Sequence, residues 1–139
     1  MPKESTTPDL VELTQRLLDA ANARDVEAGM SLYAPDAVLD MGETFEVFEG
    51  RAAMRGFAED WLGLYEEFEF ELEEIRDLGD GVTFGVWVQR GRPRGSTAWV
   101  QVRVAFVSTW ADGLIERTTN YTDIDQARAA AERLGQERG

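Results

Sequence analysis

Two Asp-Gly dipeptides, Asp80-Gly81 and Asp112-Gly113, constrain this chain more than any other feature. Asp112-Gly113 separates two stretches in which apolar and polar residues alternate, and Asp80-Gly81 marks a turn between an alternating stretch and one that is apolar on both faces. Asp-Gly in that setting predicts a two-residue hairpin, because both turn positions need positive φ, which Gly and Asp tolerate. The second half of the chain therefore reads as a meander of antiparallel strands. The stretch from Ala111 to Asp125, A-D-G-L-I-E-R-T-T-N-Y-T-D-I-D, continues it as a turn, a strand and the acidic start of a last helix.

Ahead of the meander the periodicity is helical. Leu10, Leu13, Leu17, Leu18 and Ala21 recur at helical spacing, and Asp9 with Glu12 forms an Asp-x-x-Glu variant of the capping box, predicting a first helix that ends near Arg24. A short second helix is expected from Asp25, its N-cap, through Tyr33, with Ala34-Pro35-Asp36 breaking it because proline disfavours helix in the residue before it. Ala37 to Met41 reads as a short strand and Gly42 to Gly50 as a loop or small hairpin. Gly50 opens a third helix that carries Met54, Phe57, Ala58, Trp61, Leu64 and Tyr65 on one broad face. Phe68 to Glu73 alternates strictly, and Val82 to Gln89 is apolar on both faces, as a central strand would be. Arg90 to Gly95 reads as a basic loop, Ala98 to Trp110 as a long alternating strand, and Asp125 to Leu134 as the last helix. Helices gathered first and a meander after them define an α+β arrangement, with helices covering one face of a curved antiparallel sheet to make a cone. One domain over residues 9–135 is expected, with residues 1–8 a disordered tail and 136–139 a second tail.

Composition removes whole classes of chemistry. The 139 residues include neither cysteine nor histidine. That excludes thiolate nucleophiles, disulfides, thiolate or imidazole metal sites and the Ser-His-Asp triad, leaving Asp, Glu, Tyr, Lys or Arg for any proton transfer. No metal and no other cofactor is expected. The run of Glu66, Glu67, Glu69, Glu71, Glu73 and Glu74 lacks the Asp/Asn and Gly loop of a calcium site and reads as a solvated strand face. A net charge of −13 repels nucleic acid and anionic membranes alike, so a neutral small molecule is the expected partner. No apolar run is long enough to span a bilayer, and the N-terminus lacks a signal-peptide pattern, so a cytoplasmic location is expected.

The motifs, taken in order, resemble a known superfamily. L-Y-A-P-D-A-V-L-D at Leu32 to Asp40, E-G-R-A-A-M-R-G-F at Glu49 to Phe57, and D-G-L-I followed by N-Y-T-D at the end of the chain are similar to the nuclear-transport-factor-2-like superfamily, closest to its SnoaL-like branch. The resemblance implies a cone-shaped, cystatin-like α+β roll with a pocket between sheet and helices, and a homodimer through the outer sheet face. Its mechanisms do not carry over residue by residue. The position that holds a catalytic Asp in the ketosteroid isomerase branch falls on Met41, with Asp40 one residue short, and that branch's oxyanion-stabilising acid falls on Phe106. The His and Asp of the polyketide cyclases fall on Thr118 and Asn120, and Val82 to Gln89 lacks the Arg-x-Asp of limonene epoxide hydrolase.

Within that frame the residues divide into three groups. Asp40 is the candidate base, since a carboxylate desolvated among Phe, Met and Trp gains proton affinity. The alternative is that Asp40 faces outward or caps a loop. Tyr33, Trp61, Phe84, Trp87, Phe106, Trp110, Thr118 and Asn120 are the candidate pocket lining, mostly apolar with a few orienting polar groups; half of these aromatics are expected to be plain core. Trp99, Gln101 and Arg103 lie on the outward parity of their strand and are the candidate dimer face. Two functions fit. One is a cofactor-independent isomerase, cyclase or hydrolase acting on a small hydrophobic substrate, with Asp40 as base and Asn120 or Tyr33 orienting. The other is a ligand-binding or dimerisation module without chemistry.

Overall fold

The computed structural model describes residues 9–42 and 46–138. The expected tail at 1–8 and part of the predicted loop, residues 43–45, lie outside the described residues. The elements run α1 (Leu10–Asn22), α2 (Val26–Met30), β1 (Tyr33–Asp40), β2 (Val47–Glu49), α3 (Arg51–Gly63), β3 (Tyr65–Gly79), β4 (Val82–Pro93), β5 (Val100–Ala111), β6 (Leu114–Tyr121) and α4 (Ile124–Arg138). The fold is α+β, with a six-stranded, curved, unclosed sheet in the order β2-β1-β6-β5-β4-β3.

Local chemistry sets most boundaries. Asp9 caps α1, its carboxylate accepting from the Val11 and Glu12 amides. Asp25 caps α2 through the Ala28 amide, and Asp123 starts α4 by accepting from the Gln126 amide. Both Asp-Gly turns take positive φ at each residue, 56° and 76° at Asp80-Gly81 and 54° and 78° at Asp112-Gly113. That geometry closes the β3–β4 and β5–β6 hairpins in register with strand twist.

Four expectations are corrected. The second helix stops at Met30, and Tyr33 already belongs to β1, because the Ile115 amide donates to the Leu32 carbonyl and draws the chain into the sheet. Arg90 to Pro93 belong to β4, not to a loop. The sheet is not wholly antiparallel, since β1 pairs with β6 in parallel. Finally, α4 extends to Arg138, through most of the supposed tail, and it packs on the face opposite α1, α2 and α3. Arg138 secures its end by donating to the Asp80 carbonyl at 2.9 Å.

The sheet therefore has two cores. On the inner side Leu10, Met30, Tyr33, Ala37, Met54, Trp110 and Ile115 join α1, α2 and α3 to the strands. On the outer side Val82, Phe84, Val86, Ala105 and Val107 lie beneath Ala127 and Ala131 of α4, whose small side chains let helix and sheet approach closely. Two-sided burial of the first half of β4 follows from this sandwich. The remainder of the outer face is a ladder of charges. Glu67 pairs with Arg92, Glu69 and Glu71 with Arg90, and Glu73 with Arg103. Arg90 and Arg92 thus balance the acidic strand, as a solvated face requires.

Candidate functional site

Between the inner sheet face and α1, α2 and α3 lies a cavity of about 360 Å³. At roughly 30 Å³ per water it holds the volume of about a dozen water molecules, within the usual size range of small-molecule sites. Strand parity supplies its floor. Trp87 and Gln89 point in from β4, Val104, Phe106, Ser108 and Trp110 from β5, and Thr118 and Asn120 from β6. Leu17 and Ala21 of α1, Met30 of α2, and Met54, Phe57, Ala58 and Trp61 of α3 form the roof, while Leu39 and Met41 close the side formed by β1.

The aromatic part of the wall is continuous. Trp61 stacks on Phe70 with centroids 5.5 Å apart, Phe70 meets Trp87 edge-on at 5.9 Å, and Trp87 leans on Phe106 at 4.6 Å. Phe106 lies flat against the sheet because Gly85 has no side chain; a Cβ there would sit 2.4 Å from the ring. The indole nitrogens are satisfied within the wall, Trp87 donating to Gln89 at 3.1 Å and Trp110 to buried Thr83 at 2.9 Å.

The polar groups are few. Ser108 and Thr118 share a hydrogen bond at 2.7 Å. Asn120 Nδ2 donates to the Met41 sulfur at 3.6 Å, and Asn120 Oδ1 is buried without a partner. Tyr33 is enclosed, and burial pushes its phenol up to about 12, so it stays protonated. Besides Tyr33, the titratable residues on the wall, among the described residues, are Tyr121 and Asp25. Asp25 stands exposed at the rim with its carboxylate engaged by the Ala28 amide. Among the described residues no group of three or more acidic side chains converges to hold a metal ion.

Of the eight sequence-predicted pocket residues, Tyr33, Trp61, Trp87, Phe106, Trp110, Thr118 and Asn120 line the cavity; Phe84 does not, and neither does the candidate base Asp40. Phe84 sits on the outer face beneath α4, 1% exposed, with the Arg128 guanidinium over its ring. Three positions from Trp87 on one strand, it cannot share that residue's face. Asp40 also points away from the cavity. Its Oδ2 accepts from Arg117 at 2.7 Å and its Oδ1 from the Gly42 amide at 2.8 Å, while its neighbours Leu39 and Met41 turn inward. This is the outward, loop-capping alternative. Ser108 and Gln89 were not singled out from the sequence, although the same parity from Phe106 and Trp87 would have reached both. The α1 wall carries no signal beyond ordinary amphipathicity.

A six-stranded curved sheet wrapped by helices around an apolar cavity defines a nuclear-transport-factor-2-like protein. Residues 14–118 match the model of the SnoaL-like domain, and the chain belongs to that family. Solved structures share the fold at low identity. A protein of ketosteroid-isomerase-like fold from Catenulispora acidiphila, in complex with trimethylamine, is 18% identical with a TM-score of 0.73, covering 91% of this chain and 95% of its own. A nuclear-transport-factor-2-like protein from Burkholderia pseudomallei is 11% identical at a TM-score of 0.74, covering 90% and 98%. A protein from Shewanella putrefaciens described as a SnoaL-like polyketide cyclase is 12% identical at 0.70, covering 92% and 98%. No curated protein matches the chain in sequence. Among the described residues no helix is long and apolar enough to cross a membrane.

Proposed function

We propose that this protein binds one small, neutral, largely apolar molecule inside the cone and performs no acid–base chemistry of its own on it. The observation that carries this reading is the wall itself: about 360 Å³ of space bordered by Trp, Phe, Leu and Met side chains, with no ammonium or guanidinium among the described residues and its one described carboxylate, Asp25, exposed at the rim. An isomerase, cyclase or hydrolase needs a group that exchanges a proton near neutral pH. Asp40 is turned away toward Arg117, and Tyr33 holds its proton to about pH 12. The reading includes a cytoplasmic location and a homodimer through the part of the outer face that α4 leaves open. There Trp99, 55% exposed, is the apolar anchor, beside Gln101 and Arg103, whose side chains are already engaged by Arg90 and Glu73.

The test is titration with N-phenyl-1-naphthylamine, a neutral fluorophore that brightens in apolar surroundings. The expected result is one site per chain, with quenching of the tryptophans that line the cavity, and loss of that site in Ala58→Trp, which fills the space beneath α3. Absence of binding, or undiminished binding in Ala58→Trp, refutes the reading.

A further inference from the structure

Resting on that reading, the wall also specifies which apolar molecule fits, because it leaves two kinds of hydrogen-bonding capacity unused side by side. The first is an acceptor. Asn120 Oδ1 is, among the described residues, the one buried side-chain nitrogen or oxygen without a hydrogen-bond partner, and its amide nitrogen has only the Met41 thioether, a weak acceptor. Such an orphan is costly in an apolar surrounding, and the terminal torsion of asparagine is soft enough for the amide to turn toward a donor in the void.

The second is a donor. Ser108 and Thr118 face each other across β5 and β6 with their oxygens 2.7 Å apart. Two hydroxyls bring two hydrogens, and only one of them can lie between the oxygens. Neither hydroxyl donates to anything else among the described residues, so one hydrogen is left over. Thr118 and Asn120 are two positions apart on one face of β6, about 7 Å along the strand. Spare donor and orphan acceptor thus stand one strand repeat apart on the cavity floor. Around them the Trp61, Phe70, Trp87 and Phe106 rings offer flat apolar contact, and among the described residues no cationic side chain lines the cavity.

We propose that the cavity selects a flat, neutral ligand carrying a hydroxyl or N–H donor for Asn120 and, one strand repeat away, a carbonyl-type acceptor for the free hydrogen of the Ser108–Thr118 pair. Ligands with only one of the two groups leave one wall group unpaired and bind more weakly. The donor end is recognised by β6 and the acceptor end by the β5–β6 pair, so the molecule has one orientation in the cone.

Three probes of equal ring size separate the two contacts in isothermal titration calorimetry. 4-Hydroxyacetophenone carries both groups at a comparable spacing, 4-methoxyacetophenone lacks the donor, and 4-ethylphenol lacks the acceptor. The two-group probe is expected to bind about tenfold tighter than either of the others, the effect of leaving one buried partner unpaired. In Asn120→Leu its advantage over 4-methoxyacetophenone disappears while that over 4-ethylphenol remains; in Ser108→Ala/Thr118→Val the pattern reverses. Three affinities within twofold of one another in the wild-type protein, which needs no variant to fold, overturn the inference and leave the cavity reading standing. Both advantages falling together in Asn120→Leu also overturns it. Binding of neither these probes nor N-phenyl-1-naphthylamine overturns the cavity reading and this inference with it.

Discussion

Gly85 is the position where stability and the cavity are tied to a single missing atom. A Cβ built there would lie 2.4 Å from Phe106 Cζ, 2.6 Å from Cε1 and 3.0 Å from the Glu74 carbonyl oxygen. Ordinary carbon contacts fall at about 3.5–4.0 Å, so in Gly85→Ala the ring has to move by about 1 Å. The backbone of β3 blocks retreat and Trp87 leans on the ring from the side, which leaves the cavity as the direction of movement. Overpacking of this kind costs about 1–3 kcal/mol, and an open space beside the ring favours the lower part, about 1–2 kcal/mol. For a chain of this length each kcal/mol moves the midpoint by about 3–4 °C, so circular-dichroism melting is expected to show a fall of about 3–8 °C. Affinity for N-phenyl-1-naphthylamine is expected to drop about fivefold, because the displaced ring takes up ligand space. Gly91→Ala is the control. Its Cβ would meet the Tyr65 ring at 2.6 Å, outside the cavity, so it should lose comparable stability and keep the affinity. An unchanged midpoint in Gly85→Ala would show that Phe106 is not seated on Gly85. A lowered midpoint with unchanged affinity would show that Phe106 does not border the ligand.

Tyr33→Phe tests the enclosed phenol. With its folded-state value raised from 10.0 to about 12, the neutral phenol's contribution is fully present below pH 10 and lost as pH rises through 12, roughly 2–3 kcal/mol in all; urea melts at pH 9 and 11.5 should show that alkaline loss in the wild type and a flatter profile in the variant. Asp40→Asn removes a partly exposed ion pair with Arg117 (side chains 23% and 48% exposed) and should cost less than about 1 kcal/mol with unchanged probe affinity; a large loss of binding would return Asp40 to the site. Arg24→Ala takes away a guanidinium that holds the Leu62, Tyr65 and Glu66 carbonyls at 3.1–3.2 Å and covers the Phe68 ring; urea denaturation should register a loss of about 2–3 kcal/mol. The proposed outer-face homodimer is tested by Trp99→Glu in sedimentation velocity: the wild type is expected to sediment as a dimer and the variant as a monomer, and a monomeric wild type or an unchanged sedimentation coefficient in the variant would remove the outer-face dimer.

What could be read from the sequence was what is local. The Asp-Gly turns carry their own conformational requirement, the Asp9 and Asp25 caps their own hydrogen bonds, and the alternation of β5 fixes which of its residues share a face. What failed depended on partners distant in the chain. Asp40 was legible as the end of a strand, but its direction is set by the register in which it lies opposite Thr119 on β6, a parallel pairing that closes over most of the chain. Phe84 was legible as buried, and hydrophobicity alone does not say beneath which layer. The answer lay in Ala127 and Ala131 of α4, two small residues that a periodicity reading takes as an unremarkable helix face. Tyr33 fell to the same kind of override, since a weak helical pattern yields when Leu32 finds a strand partner in Ile115.

The second core beneath α4 bears directly on why the cone can stay hollow. A dry void of about 360 Å³ at about 24 cal/mol/Å³ would cost roughly 9 kcal/mol, a figure comparable to the whole stability of an ordinary domain. A fold that relied only on packing α1, α2 and α3 against the sheet would close that space with larger side chains. Here the outer core holds β4 and β5 together without any contribution from the cavity: Val82, Ala105, Ala127 and Ala131 are fully enclosed, and Phe84 and Val86 are 1% exposed. The strands that form the cavity floor are thereby fixed from behind, and the inner face is free to carry Gly85, Ser108 and Thr118 where a packed core would carry larger apolar residues. Small residues on the floor, a rigid back and, among the described residues, no charged side chain deeper than Asp25 at the rim are the conditions for a preformed binding site. A ligand that binds this site only in the folded state then stabilises the protein in proportion to its occupancy, without the fold having to rearrange to receive it.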